Sequence, residues 1–264
     1  MIHQLIYRFG EVKSYILLVK LRKTMDITSL FQLANYGPLA NYITISNRFQ
    51  EINPKNEEGT TPLHIAARSG QQEIFEYIFQ YTRERCPETN AGITPFHLAA
   101  QNGHFEICRL IITNRVISNV DNKNPRDLFQ KTPLHLAAEN GFLNICKLII
   151  RNIIDKNPED LMGVTPLHIA ASKGHLSICE LIIAHVVDKN PKELRECNTP
   201  FHFAALNGHA SICRLPFGHQ INGLLPKNIY GETPLHWAIK GGKLNNRELI
   251  EIFGATALLT GFYY

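Results

Sequence analysis

Residues 165–183, TPLHIAASKGHLSICELII, decide how the rest of the chain is read. Thr165 is a suitable helix N-cap, and Pro166 takes the first helical position, where a missing N–H costs nothing. Leu167, Ala170 and Ala171 then share one face, with two alanines where another backbone can come close. Gly174 supplies the left-handed residue that ends a helix. Ile178, Leu181 and Ile182 give a second helix at i, i+3, i+4 spacing. The unit is a helical hairpin with one apolar side, and alone it cannot bury that side.

The same unit begins at Thr61, Thr94, Thr132, Thr165, Thr199 and Thr233, at spacings of 33, 38, 33, 34 and 34 residues. A fixed period in this range marks a stacked repeat array. The stretches TPLHIAARSG (61–70), TPFHLAAQNG (94–103), TPLHLAAENG (132–141), TPLHIAASKG (165–174), TPFHFAALNG (199–208) and TPLHWAIKGG (233–242) resemble the ankyrin repeat family. The resemblance covers roughly residues 28–253. It implies an all-α solenoid of stacked helix-turn-helix units, with projecting β-hairpin or turn fingers at right angles to the helices. It also implies that His64, His97, His135, His168, His202 and His236 hydrogen-bond near the threonine caps and tie adjacent fingers together.

Units are expected to start near residues 28, 61, 94, 132, 165, 199 and 233, forming one array. Thr28, Leu30, Ala34 and Gly37 keep the register in worn form, as the end repeat of a solenoid does where one face meets water. At the other end, Asn246 and Arg247 replace core positions. Residues 1–27 form an N-terminal extension and 254–264 an apolar tail without clear period. Within the extension, residues 1–24 carry Arg8, Lys13, Lys20, Arg22 and Lys23 against Glu11. It lacks the long apolar core of a secretory signal; a loose or helical extension, a weak mitochondrial presequence and a start at Met25 all stay open.

Connectors contain Asn53-Pro54, Asn124-Pro125, Asn157-Pro158 and Asn190-Pro191, with Gly59, Gly92, Gly163 and Gly231 just before the next threonine. Proline sets an extended approach and glycine a tight reversal, which predicts a projecting finger. Gln130 and Cys197 replace that glycine, so distorted tips are expected in the third and fifth repeats. The 38-residue spacing places about five extra residues near 115–119. Pro216 should stop the second helix of the fifth repeat early and leave residues 217–225 irregular.

A net charge of +4 is small and dispersed, which argues against nucleic acid as partner. The longest apolar run, Tyr15 to Val19, is far short of a membrane span. Cys108, Cys146, Cys179 and Cys213 fall fourteen residues after their threonines, where Phe75 and Arg247 stand in the first and last full repeats. A slot that accepts phenylalanine is a packing slot, and neighbours about 10 Å apart cannot form disulfides. Without glycosylation acceptors either, an intracellular protein is expected, in cytoplasm or nucleus.

His104/Cys108, His175/Cys179 and His209/Cys213 have the i, i+4 spacing of metal ligands. Each histidine follows a turn glycine and should point outward, while each cysteine lies among packing residues. No metal or other cofactor is expected. The signature histidines recur once per repeat, whereas catalysis needs one convergent constellation; no phosphate loop, nucleophile elbow or zinc-protease motif is present. No enzyme is expected.

Exposed positions should be the two residues before each finger glycine and the two after each Ala-Ala pair. Those tips are Glu57-Glu58, Asn90-Ala91, Leu128-Phe129, Leu161-Met162, Arg195-Glu196 and Ile229-Tyr230. Contiguous apolar tips mark a binding surface. Leu128, Phe129, Leu161 and Met162 form its expected centre, Ile229 and Tyr230 extend it, and Glu139, Asn140, Ser172 and Lys173 lie beside it. The expected function is reversible binding of a protein partner by a monomer along the concave, finger-lined face. The alternative is a recruiting or regulatory ankyrin domain of a larger enzyme, ubiquitin-ligase or channel assembly.

Overall fold

The computed structural model describes residues 28–49, 51–113, 124–215 and 225–254. All regular structure among them is helical, in pairs: α1 (Thr28–Tyr36) with α2 (Leu39–Ser46), α3 (Pro62–Ser69) with α4 (Gln72–Tyr81), α5 (Pro95–Asn102) with α6 (Phe105–Thr113), α7 (Pro133–Glu139) with α8 (Leu143–Asn152), α9 (Pro166–Lys173) with α10 (Leu176–Ile183), α11 (Pro200–Asn207) with α12 (Ala210–Cys213), and α13 (Pro234–Gly241) with α14 (Asn246–Phe253). The chain divides into two compact units, Met1–Asn114 and Arg115–Tyr264. In the first, α1, α3 and α5 pack in sequence as inner helices, and α2, α4 and α6 as outer ones. In the second, α7, α9, α11 and α13 stack likewise beside α8, α10, α12 and α14. The fold is the expected all-α stack of helical hairpins.

Each inner helix starts and stops where local chemistry dictates. Thr61, Thr94, Thr132, Thr165, Thr199 and Thr233 are the N-caps, in extended conformation. After the last turn the chain passes through a left-handed residue such as Gly70 (φ 74°) or Gly174 (φ 83°). The next amide then reaches back to the helix, Gln71 N to Ala66 O and His175 N to Ala170 O, closing a Schellman motif. The second helix is thereby folded against the first.

Apolar periodicity sets what is buried. Leu63, Ala66 and Ala67, and their counterparts Leu167, Ala170 and Ala171, have no exposed surface. The alanines let inner helices approach, and truncating one such leucine to alanine costs about 2–5 kcal/mol. On α10 the buried stripe is Ile178, Cys179, Ile182 and Ile183, with Leu181 half-buried. The shared slot holds Phe75, Cys108, Cys146, Cys179 and Cys213, all buried. Burial pushes the last four thiols up to about 12. In the terminal repeat Arg247 is exposed and joins Glu251 at 2.8 Å; Glu251 also takes Arg214 of the preceding repeat at 2.8 Å.

One sequence-based expectation about the fingers needs correction, and others are met. Of the two finger forms expected, turn or β-hairpin, the fingers take the turn, with no strand among the described residues. The third-repeat tip is undistorted: Gln130 itself adopts φ 60°, and the turn closes with Gln130 N on Asp127 O at 2.8 Å and Asp127 N on Lys131 O at 2.9 Å. The fifth-repeat finger does change, because Glu193 N bonds Asn198 O, one residue further on than in other fingers. Cys197 takes the left-handed position there, at φ 58°. Outer helix α12 ends at Cys213, ahead of Pro216. Residues 1–27, the extra residues near 115–119, residues 217–224 and the tail from 255 lie outside the described residues.

Candidate functional site

The face that could meet a partner is built from the caps outward. At each inner-helix start the histidine, three residues after the threonine, plays the part glutamate plays in a common capping box. His64, His97, His135, His168, His202 and His236 each accept the threonine backbone N–H on Nδ1, at 3.1–3.2 Å. The reciprocal bond, from the His97 and His168 amides to threonine Oγ1, is longer at 3.5 Å. Nδ1 is thus the acceptor and Nε2 carries the hydrogen. Nε2–H of His64, His135, His168 and His202 donates to the carbonyl of Ile93, Val164, Asn198 and Glu232 in the next finger, at 2.9–3.2 Å. Burial drives His64, His135 and His168 down to about 4, and lowers His202. These rings are neutral, fully occupied structural pins.

The connector prolines follow asparagines with a second task. Asn53 Oδ1 accepts Leu63 N at 2.9 Å, and Asn157 Oδ1 accepts Leu167 N at 3.0 Å. Each caps a helix amide ten residues downstream that proline and threonine leave unpaired.

Within a finger one side chain organises the turn. Asn56, Asp127, Asp160 and Asn228 each accept two backbone N–H groups on one oxygen, at 2.8–3.1 Å. Thr89 does so with its hydroxyl, and Glu193 receives the Arg195, Glu196 and Asn198 amides. Glu193 is 5 % exposed, and those donors outweigh its burial, holding its carboxyl below the usual range. Adjacent fingers are joined by one main-chain bond each, with side-chain links from Asn90 Nδ2 to Glu57 O, Arg126 to Glu159 O and Asn228 Nδ2 to Asn198 Oδ1 beside them. Asn90 N reaches Glu58 O, Leu161 N reaches Phe129 O, Leu194 N reaches Met162 O and Ile229 N reaches Glu196 O, all at 2.9–3.0 Å.

Because backbone makes the joints, the tip side chains stay in solvent. The residue after each anchor in the second unit is aliphatic and open to water: Leu128 63 %, Leu161 55 %, Leu194 68 % and Ile229 58 % exposed. Phe129, Met162 and Tyr230 stand next to three of them, also exposed. In the first unit the same place holds Glu57 and Asn90. The tip of the fifth repeat therefore begins at Leu194 and not at Arg195. Counting back from Cys197 misses it because that finger has the extra residue; counting forward from the anchoring Asp, Glu or Asn finds it.

Beside the tips, Asn140 and Lys173 are exposed, and Glu139 and Ser172 half-buried. Asn140 Nδ2 donates back to Leu136 O at 2.9 Å, and Ser172 Oγ accepts Asn207 Nδ2 at 3.4 Å. The histidines after the turn glycines do not point away. His104, His175 and His209 donate from Nε2 to Arg68, Glu139 and Ser172 carbonyls of the preceding repeat, at 2.9–3.2 Å. A Cβ on Gly70, Gly141 or Gly174 would stand 2.5–2.7 Å from those rings, so glycine is needed for room as well as for its backbone angle. Among the described residues no three His, Cys, Asp or Glu converge as a ligand set, and no helix is long and apolar enough to cross a membrane.

Reciprocally capped hairpins that carry main-chain-linked turns define a helical repeat scaffold. A family profile described as ankyrin repeats (three copies) matches residues 30–122 and 113–193, more than half of the chain. The chain belongs to the ankyrin-repeat family. Ankyrin repeats are in general protein-binding modules and typically non-enzymatic. Among curated proteins, none matches the chain at a significant level.

Proposed function

We propose that this chain is a non-enzymatic module that binds a protein partner through the fingers and inner helices of its second unit. The apolar centre is Leu128, Phe129, Leu161 and Met162, joined by Leu194 and flanked by Ile229 and Tyr230. Glu139, Asn140, Ser172 and Lys173 supply a polar border. The observation that carries this reading is the run of four aliphatic side chains at one tip position, each more than half exposed. Isolated surface leucines are ordinary, whereas an aligned apolar row with aromatic neighbours marks an interface. Fixed turns lose little ordering entropy on binding, so few contacts suffice. The buried, unpaired cysteines fit a reducing compartment, cytoplasm or nucleus, and a monomer.

The test is affinity capture with the whole chain against Phe129→Asp/Met162→Asp. The variant should keep the wild-type melting temperature and lose the specifically captured protein. Equal recovery by a folded variant rules out this face.

A further inference from the structure

We propose that the tip row of the second unit docks an acidic amphipathic helix of the partner, an inference that rests on the protein-binding reading above. Spacing comes first. Inner helices α7, α9, α11 and α13 pack in sequence, and packed helices stand roughly 8–10 Å apart. The fingers are tied one to the next by main-chain bonds and each belongs to one inner helix, so the tips inherit the upper end of that spacing, about 10 Å. A helix advances about 10.5 Å in seven residues, so side chains one heptad apart meet successive fingers. A β-strand brings a side chain to one face every ~6.7 Å, out of step with the row.

The number of side chains per finger points the same way. Three of the four tips offer two apolar groups: Leu128 with Phe129, Leu161 with Met162, and Ile229 with Tyr230. A heptad carries two apolar positions per repeat. Polyproline II, with about 9.3 Å per turn, offers one residue per turn to a face and would leave half of each tip uncovered.

Charge then gives the partner its sign. The residues just before the anchors are Arg126, Glu159, Lys192 and Lys227, all exposed; the Arg126 guanidinium is spent on the Gln130 and Glu159 carbonyls, and Arg195 adds a further exposed cation at its tip. The anchoring carboxylates of Asp127, Asp160 and Glu193 are turned into their own turns onto backbone N–H groups. Glu196 and Glu232 are half-buried and hold Asn198, Asn228 and Trp237. The charged side chains that reach into solvent beside the apolar row are therefore mainly the cations Lys192, Arg195 and Lys227 against Glu159, matching acidic flanks. The chain's own residues 1–24, with five cations against Glu11, have the wrong sign to occupy it.

Binding of three synthetic peptides to the whole chain, followed by fluorescence anisotropy, tests this. Two are helices about four heptads long with leucine at both apolar positions, one flanked by glutamate and one by lysine. The third is a proline-rich peptide with leucine every third residue and glutamate between. The glutamate helix should bind at least roughly tenfold tighter than the lysine helix at low salt, with the gap closing as salt rises. Lys192→Glu/Lys227→Glu should reverse the order, and Leu161→Asp/Leu194→Asp should abolish binding. Equal affinity for both helices, an unreversed order in the charge variant, tighter binding of the proline-rich peptide, or no binding at all overturns the helix assignment. Undiminished binding of the glutamate helix by Leu161→Asp/Leu194→Asp means that the row is not the site, and the protein-binding reading of this face fails with it.

Discussion

Lowering the pH from 7.5 to 5.0 should destabilise the repeats strongly, through histidines that cannot accept a second proton. In His64, His135 and His168, Nε2–H is spent on a carbonyl and Nδ1 accepts a threonine N–H, so a proton on Nδ1 would set donor against donor. Burial holds all three near 4, against roughly 6.5 in an unfolded chain. Between those values the unfolded state binds more protons, so stability rises with pH. It is complete above about 6.5 and is lost as pH falls toward 4. At pH 5 each ring costs about 2 kcal/mol by linkage, a figure set mainly by the unfolded value. His64, His135 and His168 together then cost the chain about 6 kcal/mol, comparable with a typical domain's whole stability. The lowered carboxyls of Glu193 and Glu232 act in a different window: their stabilisation is present above the unfolded value near 4.3 and is lost only below it. Urea unfolding by far-UV circular dichroism at pH 7.5, 6.0 and 5.0 measures the slope. In His168→Gln, glutamine can keep the capping bond without titrating. That variant should be less stable at pH 7.5 and show about 2 kcal/mol less loss by pH 5. A urea midpoint that does not move between pH 7.5 and 5.0, or the same slope in the variant, would refute this account.

Other outcomes can be checked on the same protein. Gln130→Gly should raise stability by roughly 0.5–1 kcal/mol in urea unfolding, because a left-handed non-glycine residue is relieved. Gly174→Ala should cost well over 1 kcal/mol, since its Cβ meets the His209 ring at 2.6 Å, whereas Gly242→Ala, in open space at φ 60°, should cost only about 1 kcal/mol for the backbone angle. In a native thiol titration Cys108, Cys146, Cys179 and Cys213, buried with thiols pushed to about 12, should react only on unfolding, while the half-buried Cys197 reacts first and Cys86, raised by burial to about 11, follows it. Fast labelling of the first four would mean that the outer helices open readily.

The repeat was legible because its signals are local. A threonine before proline, a histidine three residues on and a glycine after the last turn specify a capped helix within ten residues, and Thr165–Gly174 shows all of them. The finger tips were legible at Leu128, Leu161 and Ile229, where turn length is regular. Leu194 escaped because one added residue between Glu193 and Asn198 shifts the count from the glycine position, and only the hydrogen bonds of the anchor restore it. Gln130 misled for a different reason: a left-handed requirement can be met at a modest cost by a residue other than glycine when the surrounding bonds hold it there. The inward reach of His104, His175 and His209 depends on room left by a glycine some thirty residues earlier, a long-range fact that spacing alone does not carry.

The finger joints have a consequence for how such a protein changes over time. Leu161 N to Phe129 O, Leu194 N to Met162 O and Ile229 N to Glu196 O involve only atoms that every residue type but proline possesses. Substitution at a tip rewrites what is displayed without loosening the array, so a lineage can exchange one binding preference for another through single codon changes. Proline at Leu161, Leu194 or Ile229 is the exception, because it would delete the joint together with the side chain.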